Sequence, residues 1–230
     1  MLMRRPFTRL LVLPLLAGLT AFVPLRGDEP AGFSPLFNGK DLAGWTKFLN
    51  HKDGSDPRAD PRDVFKVEDG VIHVSGEEFG CLTTEKEYEN YHLKLEYKWG
   101  TKKWPPRENV VRDSGILYHV IGAEKVWPKS IECQIQEHDT GDFYLVDGTS
   151  ITVKGKRETS YRKKTEDAEK PNGQWNTVEV ICVGGNATHI VNGVTVNEGV
   201  ESSVTKGKIL LQSEGAEVFY RNVELRPVSK

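Results

Sequence analysis

The 230-residue sequence is poor in cysteine, in net charge and in long apolar runs, and each shortage closes off a class of explanation. Three cysteines, Cys81, Cys133 and Cys182, allow at most one internal disulfide. None sits in a Cys-x-x-Cys pair or at ligand spacing from a histidine, which argues against a zinc site of the usual kind. Cys133 in Ser-Ile-Glu-Cys-Gln-Ile and Cys182 in Val-Glu-Val-Ile-Cys-Val read as small buried hydrophobes on strands. With 31 Lys and Arg against 33 Asp and Glu, a formal charge of −2, the chain lacks the basic footprint of a nucleic-acid binder. At 37% hydrophobic and 28% charged it lacks the bias of a disordered chain. Beyond the N-terminus no apolar run is long enough to span a membrane. There is no sustained 3.6-residue pattern, no internal repeat and no convincing linker. The length suits one sandwich-sized domain or two small ones.

What is present begins with an address. Arg4, Arg5 and Arg9 precede an apolar run from Leu10 to Leu25, the pattern of a secretory signal. Pro14, Gly18 and Pro24 interrupt the run and argue against a stable spanning helix. Arg4-Arg5-Pro6-Phe7 resembles a twin-arginine signal, and no cysteine near the end of the run supports a lipid anchor. The expected division is a signal peptide over 1–27 and a single domain over 28–230, exported to the periplasm or the medium. Cleavage removes Arg4, Arg5, Arg9 and Arg26 and no acid, leaving a mildly acidic domain of formal charge −6.

The remainder reads as strands. Tyr91 to Lys98 alternates, with Tyr91, Leu93, Leu95 and Tyr97 on one side and His92, Lys94, Glu96 and Lys98 toward water. Val71 to Ser75, Ile116 to Ile121, Ile131 to Ile135, Val178 to Val183, Ile209 to Gln212 and Val218 to Leu225 are further strands. Gly184-Gly185-Asn186 and Asn192-Gly193 are hairpin turns that make Trp175 to Asn197 a meander. Polar stretches at Glu85 to Tyr91 and Glu158 to Lys170 leave room for a turn of helix. Many short strands between turn signals predict an all-β antiparallel sandwich or barrel. Residues 99–113 and 139–172 read as long, strand-poor insertions, where binding usually sits. Trp45 and Trp175 read as core.

Strand parity nominates a site. Ile116, Tyr118 and Val120 form the apolar set of one strand, which leaves Asp113 and His119 on the opposite face. On the next strand Ile131, Cys133 and Ile135 are apolar, leaving Glu132, Gln134 and Gln136 in a row. The plain alternative is a wet outer face, since antiparallel sheets commonly expose one. His119 also fits a structural histidine, and Asp113 fits a loop terminator. Asp139-Thr140-Gly141-Asp142 beside His138 is either a turn or a holder for a cation or a hydroxyl. Trp104, in Lys102-Lys103-Trp104-Pro105-Pro106-Arg107, and Trp127 are stacking candidates or loop anchors.

Leu36-Phe37-Asn38-Gly39-Lys40-Asp41-Leu42-Ala43-Gly44-Trp45 resembles the opening motif of the DUF1080 family, also called the 3-keto-disaccharide hydrolase domain. Collinear matches follow at Val67 to Ile72, Asp113 to Ile116, Glu132 to Ile135, Gly173 to Asn176, Val191 to Gly193 and Ile209 to Gln212, so the resemblance spans 36–226. It implies a jelly roll similar to concanavalin-type lectins and glucanases, with a carbohydrate as ligand. Many members carry Asn-Ser-Gly and an Arg where this chain has Asp113-Ser114-Gly115 and His119.

The chemistry implied by the resemblance starts after a sugar 3-oxidoreductase has made the ketone. A base takes the proton at C2 and the group at C1 leaves by β-elimination. On that reading Glu132 or His119 is the base or the acid. Lys103, Arg107 or a divalent cation stabilises the oxyanion, and Asp113 orients His119 or binds the cation. Gln134, Gln136, Lys103, Trp104, Arg107, His138 and Asp142 contact the sugar. Two other classes stay open. One is a non-catalytic carbohydrate-binding module, since fold does not decide function. The other is an ordinary glycosidase built on Glu132-x-Gln134-x-x-Glu137, which needs a β-bulge to bring both glutamates to one face about 5 Å apart.

Overall fold

A computed structural model describes residues 32–229, so the signal expected over 1–27 lies outside the described residues. Seventeen strands and no helix occur among the described residues. In chain order they are β1 (Ser34–Pro35), β2 (Trp45–Leu49), β3 (Phe65–Glu68), β4 (Val71–Val74), β5 (Gly80–Thr84) and β6 (Tyr91–Lys103). Then come β7 (Asp113–Ile121), β8 (Lys129–Gln136), β9 (Phe143–Val146), β10 (Ile151–Val153), β11 (Lys156–Glu158) and β12 (Tyr161–Arg162). The last five are β13 (Asn176–Val183), β14 (Asn186–Val191), β15 (Val194–Gly199), β16 (Lys208–Ser213) and β17 (Ala216–Pro227).

Two antiparallel sheets pack face to face. One has the order β15-β14-β13-β6-β17-β4-β3, with β1 added on β17; the other runs β12-β9-β8-β7-β16-β5-β2. The core lies between them because both inner faces carry the apolar half of a period-two pattern. Leu93, Leu95, Tyr97, Val178, Val180, Val218 and Tyr220 from the first sheet meet Ile116, Tyr118, Ile131, Cys133, Ile209 and Leu211 from the second. Burying each such side chain is worth about 1.5–3 kcal/mol. The meander expected over 175–197 is β13-β14-β15, and its second turn places Asn192 at φ 49° and Gly193 at φ 84°. Only residues tolerant of positive φ serve there. All three cysteines are free and buried, so no disulfide forms.

Several local expectations change. The segment 139–172 is not strand-poor: β9 and β12 extend the seven-stranded sheet, and β10 pairs with β11. The first insertion shrinks to residues 104–112, since β6 continues through Lys103. Neither polar stretch forms a helical turn. The second is held by backbone bonds instead, Leu145 N–H to Ser160 O at 2.8 Å and Thr165 N–H to Val196 O at 2.8 Å. Trp45 is core, but Trp175 is not. The buried set on β13 is Asn176, Val178, Val180 and Cys182, so Trp175 falls outside, with the Arg221 guanidinium 4.0 Å from its ring centroid.

Candidate functional site

The outer face of the seven-stranded sheet carries the site. Its floor is Gly115 on β7, opposite Gln134 on β8. A Cβ built on Gly115 would overlap a carboxylate oxygen of Glu132 and lie 2.5 Å from Gln212 Oε1. The missing side chain lets a carboxyl and an amide from the strands on either side lean together over the backbone. Beneath the floor, Ser114 Oγ donates to Gln212 O at 2.8 Å and accepts from Tyr220 Oη at 2.7 Å, which fixes β7 against β16 and the opposing sheet.

Asp113, Glu132, Gln134 and Gln212 are 4, 5, 5 and 0% exposed, so this face is not simply wet. Asp113 Oδ1, Gln134 Oε1 and both amide atoms of Gln212 find no hydrogen-bond partner among the described residues. Buried polar atoms are ordinarily satisfied, and a cluster of unsatisfied ones marks a place where a polar ligand completes the bonding.

Charge is arranged as two carboxylates on one cation, with the Glu132 carboxyl near both acids. Arg107 Nη2 lies 2.5 Å from Asp113 Oδ2 and 2.5 Å from Glu214 Oε1. Gln136 Nε2 also donates to Asp113 Oδ2 at 2.5 Å. Burial raises the Asp113 carboxyl to about 7, Glu214 adds to the rise, and Arg107 and Gln136 oppose it. Burial, then Glu214 and Asp113, push Glu132 well above the usual carboxylate range, which favours its protonated form. Glu214 is raised as well, by burial, against the pull of Arg107.

One wall comes from a loop and the other from the short strands β9 and β12. Residues 122–128 fold back over the small apolar patch of Cys81, Leu117, Val120 and Leu210, with Cys81 Sγ 3.8 Å from Lys125 O. This brings Trp127, 40% exposed, edge-on to Phe79 with 5.9 Å between ring centroids. On the other side Tyr144, opposite Glu132 in the β8–β9 register, packs on Tyr161 at 4.8 Å.

The parity reading holds for Asp113, Glu132, Gln134 and Gln136, and the resemblance-derived Arg107 joins them. It fails at His119. The β7–β8 register shifts between Tyr118 and Ile121, and His119 takes φ 52° in that bulge. The shift turns Val120 to the outer face and His119 inward, 5.6 Å from the Tyr91 ring and 5.3 Å from Tyr118. Burial there lowers its pKa to about 4, and Asp113 does not orient it. Lys103 is spent on the loop, donating Nζ to Val110 O at 2.8 Å. Trp104 is a loop anchor whose indole N–H reaches Ser75 O at 3.1 Å. His138 lies at the surface, 3.2 Å from Asp167. Asp142 is buried, its oxygens taken by the Tyr161 hydroxyl and by Lys164 N–H at 2.7 Å, so it braces the Tyr144–Tyr161 wall.

Glu137 is also excluded from the groove. It follows the regular end of β8, and its carboxylate accepts from Arg112 N–H at 2.7 Å and from Arg112 Nη1 at 2.5 Å. No bulge in β8 turns it to the face of Glu132. The donors do not fit a divalent cation either: among the described residues no three of His, Cys, Asp and Glu cluster as ligands, and a guanidinium stands between Asp113 and Glu214. The sequence reading passed over Gln212, Glu214, Tyr144 and Tyr161. A lone Gln closing the apolar run Ile209 to Leu211 was the available signal.

The fold is shared with a Parabacteroides distasonis protein described as a candidate glycosyl hydrolase, at 24% identity and TM-score 0.62 over 86% of this chain and 94% of that one. It is also shared with carbohydrate-binding module CBM66 of Bacillus subtilis, at 11% identity and TM-score 0.53 over 80% and 95%. The β-glucanase of Bacillus licheniformis is a third likeness, at 12% and 0.52 over 88% and 100%. No curated protein matches the sequence. The family model of the 3-keto-alpha-glucoside-1,2-lyase-like domain covers residues 32–226, and the chain belongs to that family.

Proposed function

We propose that this domain is an exported enzyme that cleaves 3-keto-glycosides by elimination, downstream of a sugar 3-oxidoreductase. The observation that supports it most is the pairing of two buried carboxyls, Asp113 and Glu132, on one unsatisfied polar face. Asp113, raised to about 7 and paired with Arg107, is poised to accept a proton, and Glu132, whose acid form burial favours, is poised to donate one.

With the sugar ring over Gly115, Asp113 Oδ1 removes the proton from C2, and the electron pair moves onto the C3 carbonyl as an enolate. The Arg107 charge and the free amides of Gln134 and Gln212 stabilise that oxygen. Collapse of the enolate restores the ketone, forms the C1=C2 double bond and breaks the bond from C1 to the leaving oxygen. That oxygen takes its proton from Glu132. Water adding hydroxide at C1 and a proton at C2 completes net hydrolysis.

Asp113→Asn and Glu132→Gln are each expected to lower kcat/KM by about 10²–10⁴-fold while the protein stays folded. In the wild type, kcat/KM rises with pH through about 7 as the cluster containing Asp113 gives up its proton. Steady-state rates across pH check both. Wild-type rates in Asp113→Asn would remove Asp113 as the base.

A further inference from the structure

Charge is unevenly spread outside the groove. From Lys154 to Lys164 the chain carries six cations and one acid, Glu158, in a protein of formal charge −2. Both ends of this segment border a hollow of about 460 Å³ along the outer edge of β15. The hollow lies behind the tyrosine wall. Tyr161 on β12 packs on Tyr144 in that wall, and Arg162, the next residue, lines the hollow.

The edge of β15 is clamped at two points. Val200 exchanges both backbone bonds with Thr152 at 2.8 Å, and Val196 O accepts from Thr165 N–H at 2.8 Å. Alternate residues of a strand turn their backbone groups the same way, so the Glu198 N–H and C=O face the gap between the clamps. Neither has a backbone partner on that side among the described residues. An unpaired strand edge is a ready donor and acceptor row.

Lys154, Arg162 and Lys163 stand around the gap, and Glu198 is the one acid of the lining. Lys154 is at the tip of the β10–β11 hairpin, where φ 49° at Lys154 and 76° at Gly155 make the tight turn. Arg162 Nε is buried without an acceptor among the described residues. Its Nη1 lies 3.8 Å from Glu158 Oε1, and Lys163 Nζ lies 3.5 Å from Asp139 Oδ1, long contacts that leave both cations free to take a further anion. Guanidinium, ammonium and backbone N–H donors together suit a compact oxyanion. The hollow is far larger than such an ion. Val153, Val196 and Val200 give it an apolar side, where the carbon part of a ligand can lie beside the charge.

We propose that this hollow binds a phosphate or sulfate monoester. The oxyanion sits on Arg162, Lys163 and the Glu198 N–H, and the organic part lies along the valines. The site is separate from the groove and stands whether or not the groove cleaves keto sugars.

Calorimetry at fixed ionic strength tests it with glycerol 3-phosphate, methyl sulfate, inorganic phosphate and glycerol. The better of the two esters is expected to bind about tenfold tighter than inorganic phosphate, through its buried carbons, and glycerol not at all. Arg162→Gln is expected to weaken ester binding about tenfold or more. Glu198→Gln removes the opposing acid and is expected to tighten it by roughly threefold or more, a gain that a misfolded variant would not give. No binding of either ester, equal affinity for inorganic phosphate, or an affinity that neither variant moves would overturn the proposal. So would loss of binding in Arg107→Gln with none in Arg162→Gln, which would put the anion in the groove instead.

Discussion

Gly115 sits where a carboxyl from β8 and an amide from β16 both need the space above β7. Adding one methyl group there displaces Glu132 and Gln212, which are the free ends of side chains rather than backbone. Gly115→Ala is therefore expected to keep the fold and its melting temperature nearly unchanged. It should still lower kcat/KM by roughly 100-fold, the scale of a misplacement of about 1 Å. Kinetics beside a thermal melt separate the two effects. Glu132 also sets a stability trend. Its pKa is raised in the folded protein, so the folded state holds a proton that the unfolded chain releases above the ordinary value of 4.5. Wild-type stability from this group falls as pH rises beyond that value. Glu132→Gln, which carries no titrating proton, is expected to match the wild type near pH 4 and to gain on it toward pH 8. Melting temperatures of both proteins across that range check the sign, and a constant difference would mean that Glu132 does not titrate as a buried acid.

At the scale of the element, β8 separates two glutamates by regular pleating. Glu132 faces the groove, and Glu137, past the end of the strand, clamps Arg112 and with it the end of the 104–112 loop. Glu137→Gln is expected to cost roughly 1–2 kcal/mol of stability and to leave the order of magnitude of kcat/KM unchanged. Denaturant unfolding and steady-state rates measure the two; a catalytic collapse without loss of stability would restore Glu137 as a second carboxylate. The same strands show what a sequence reveals. Period-two alternation places Asp113, Glu132, Gln134 and Gln136 correctly because β8 and the first half of β7 pair without interruption. It misplaces His119 and Val120 because a bulge inserts a residue without changing composition, and every later side chain changes face. The tyrosine wall escapes notice because β9 and β12 are too short to show a period.

For the whole molecule, the motifs that run in order from Leu36 to Gln212 foretell both the sandwich and the family, since each sits at a turn or strand that the fold requires. The groove was only half legible. Its floor is on strands, but Arg107, Trp127 and Glu214 arrive from loops and strand ends whose approach is set by tertiary packing. The sandwich itself is shared with a binding module and a glucanase at 11 and 12% identity, so it cannot choose among chemistries. The choice falls to the cluster of Asp113, Glu132, Glu214 and Arg107. The measurement that tests it most directly is release of the C1 group by the wild-type protein from a 3-keto-glucoside beside its unoxidised parent. Release from the keto sugar alone is the expected result, because only the ketone acidifies C2. Comparable release from the unoxidised parent, or sugar binding with release from neither, would contradict it.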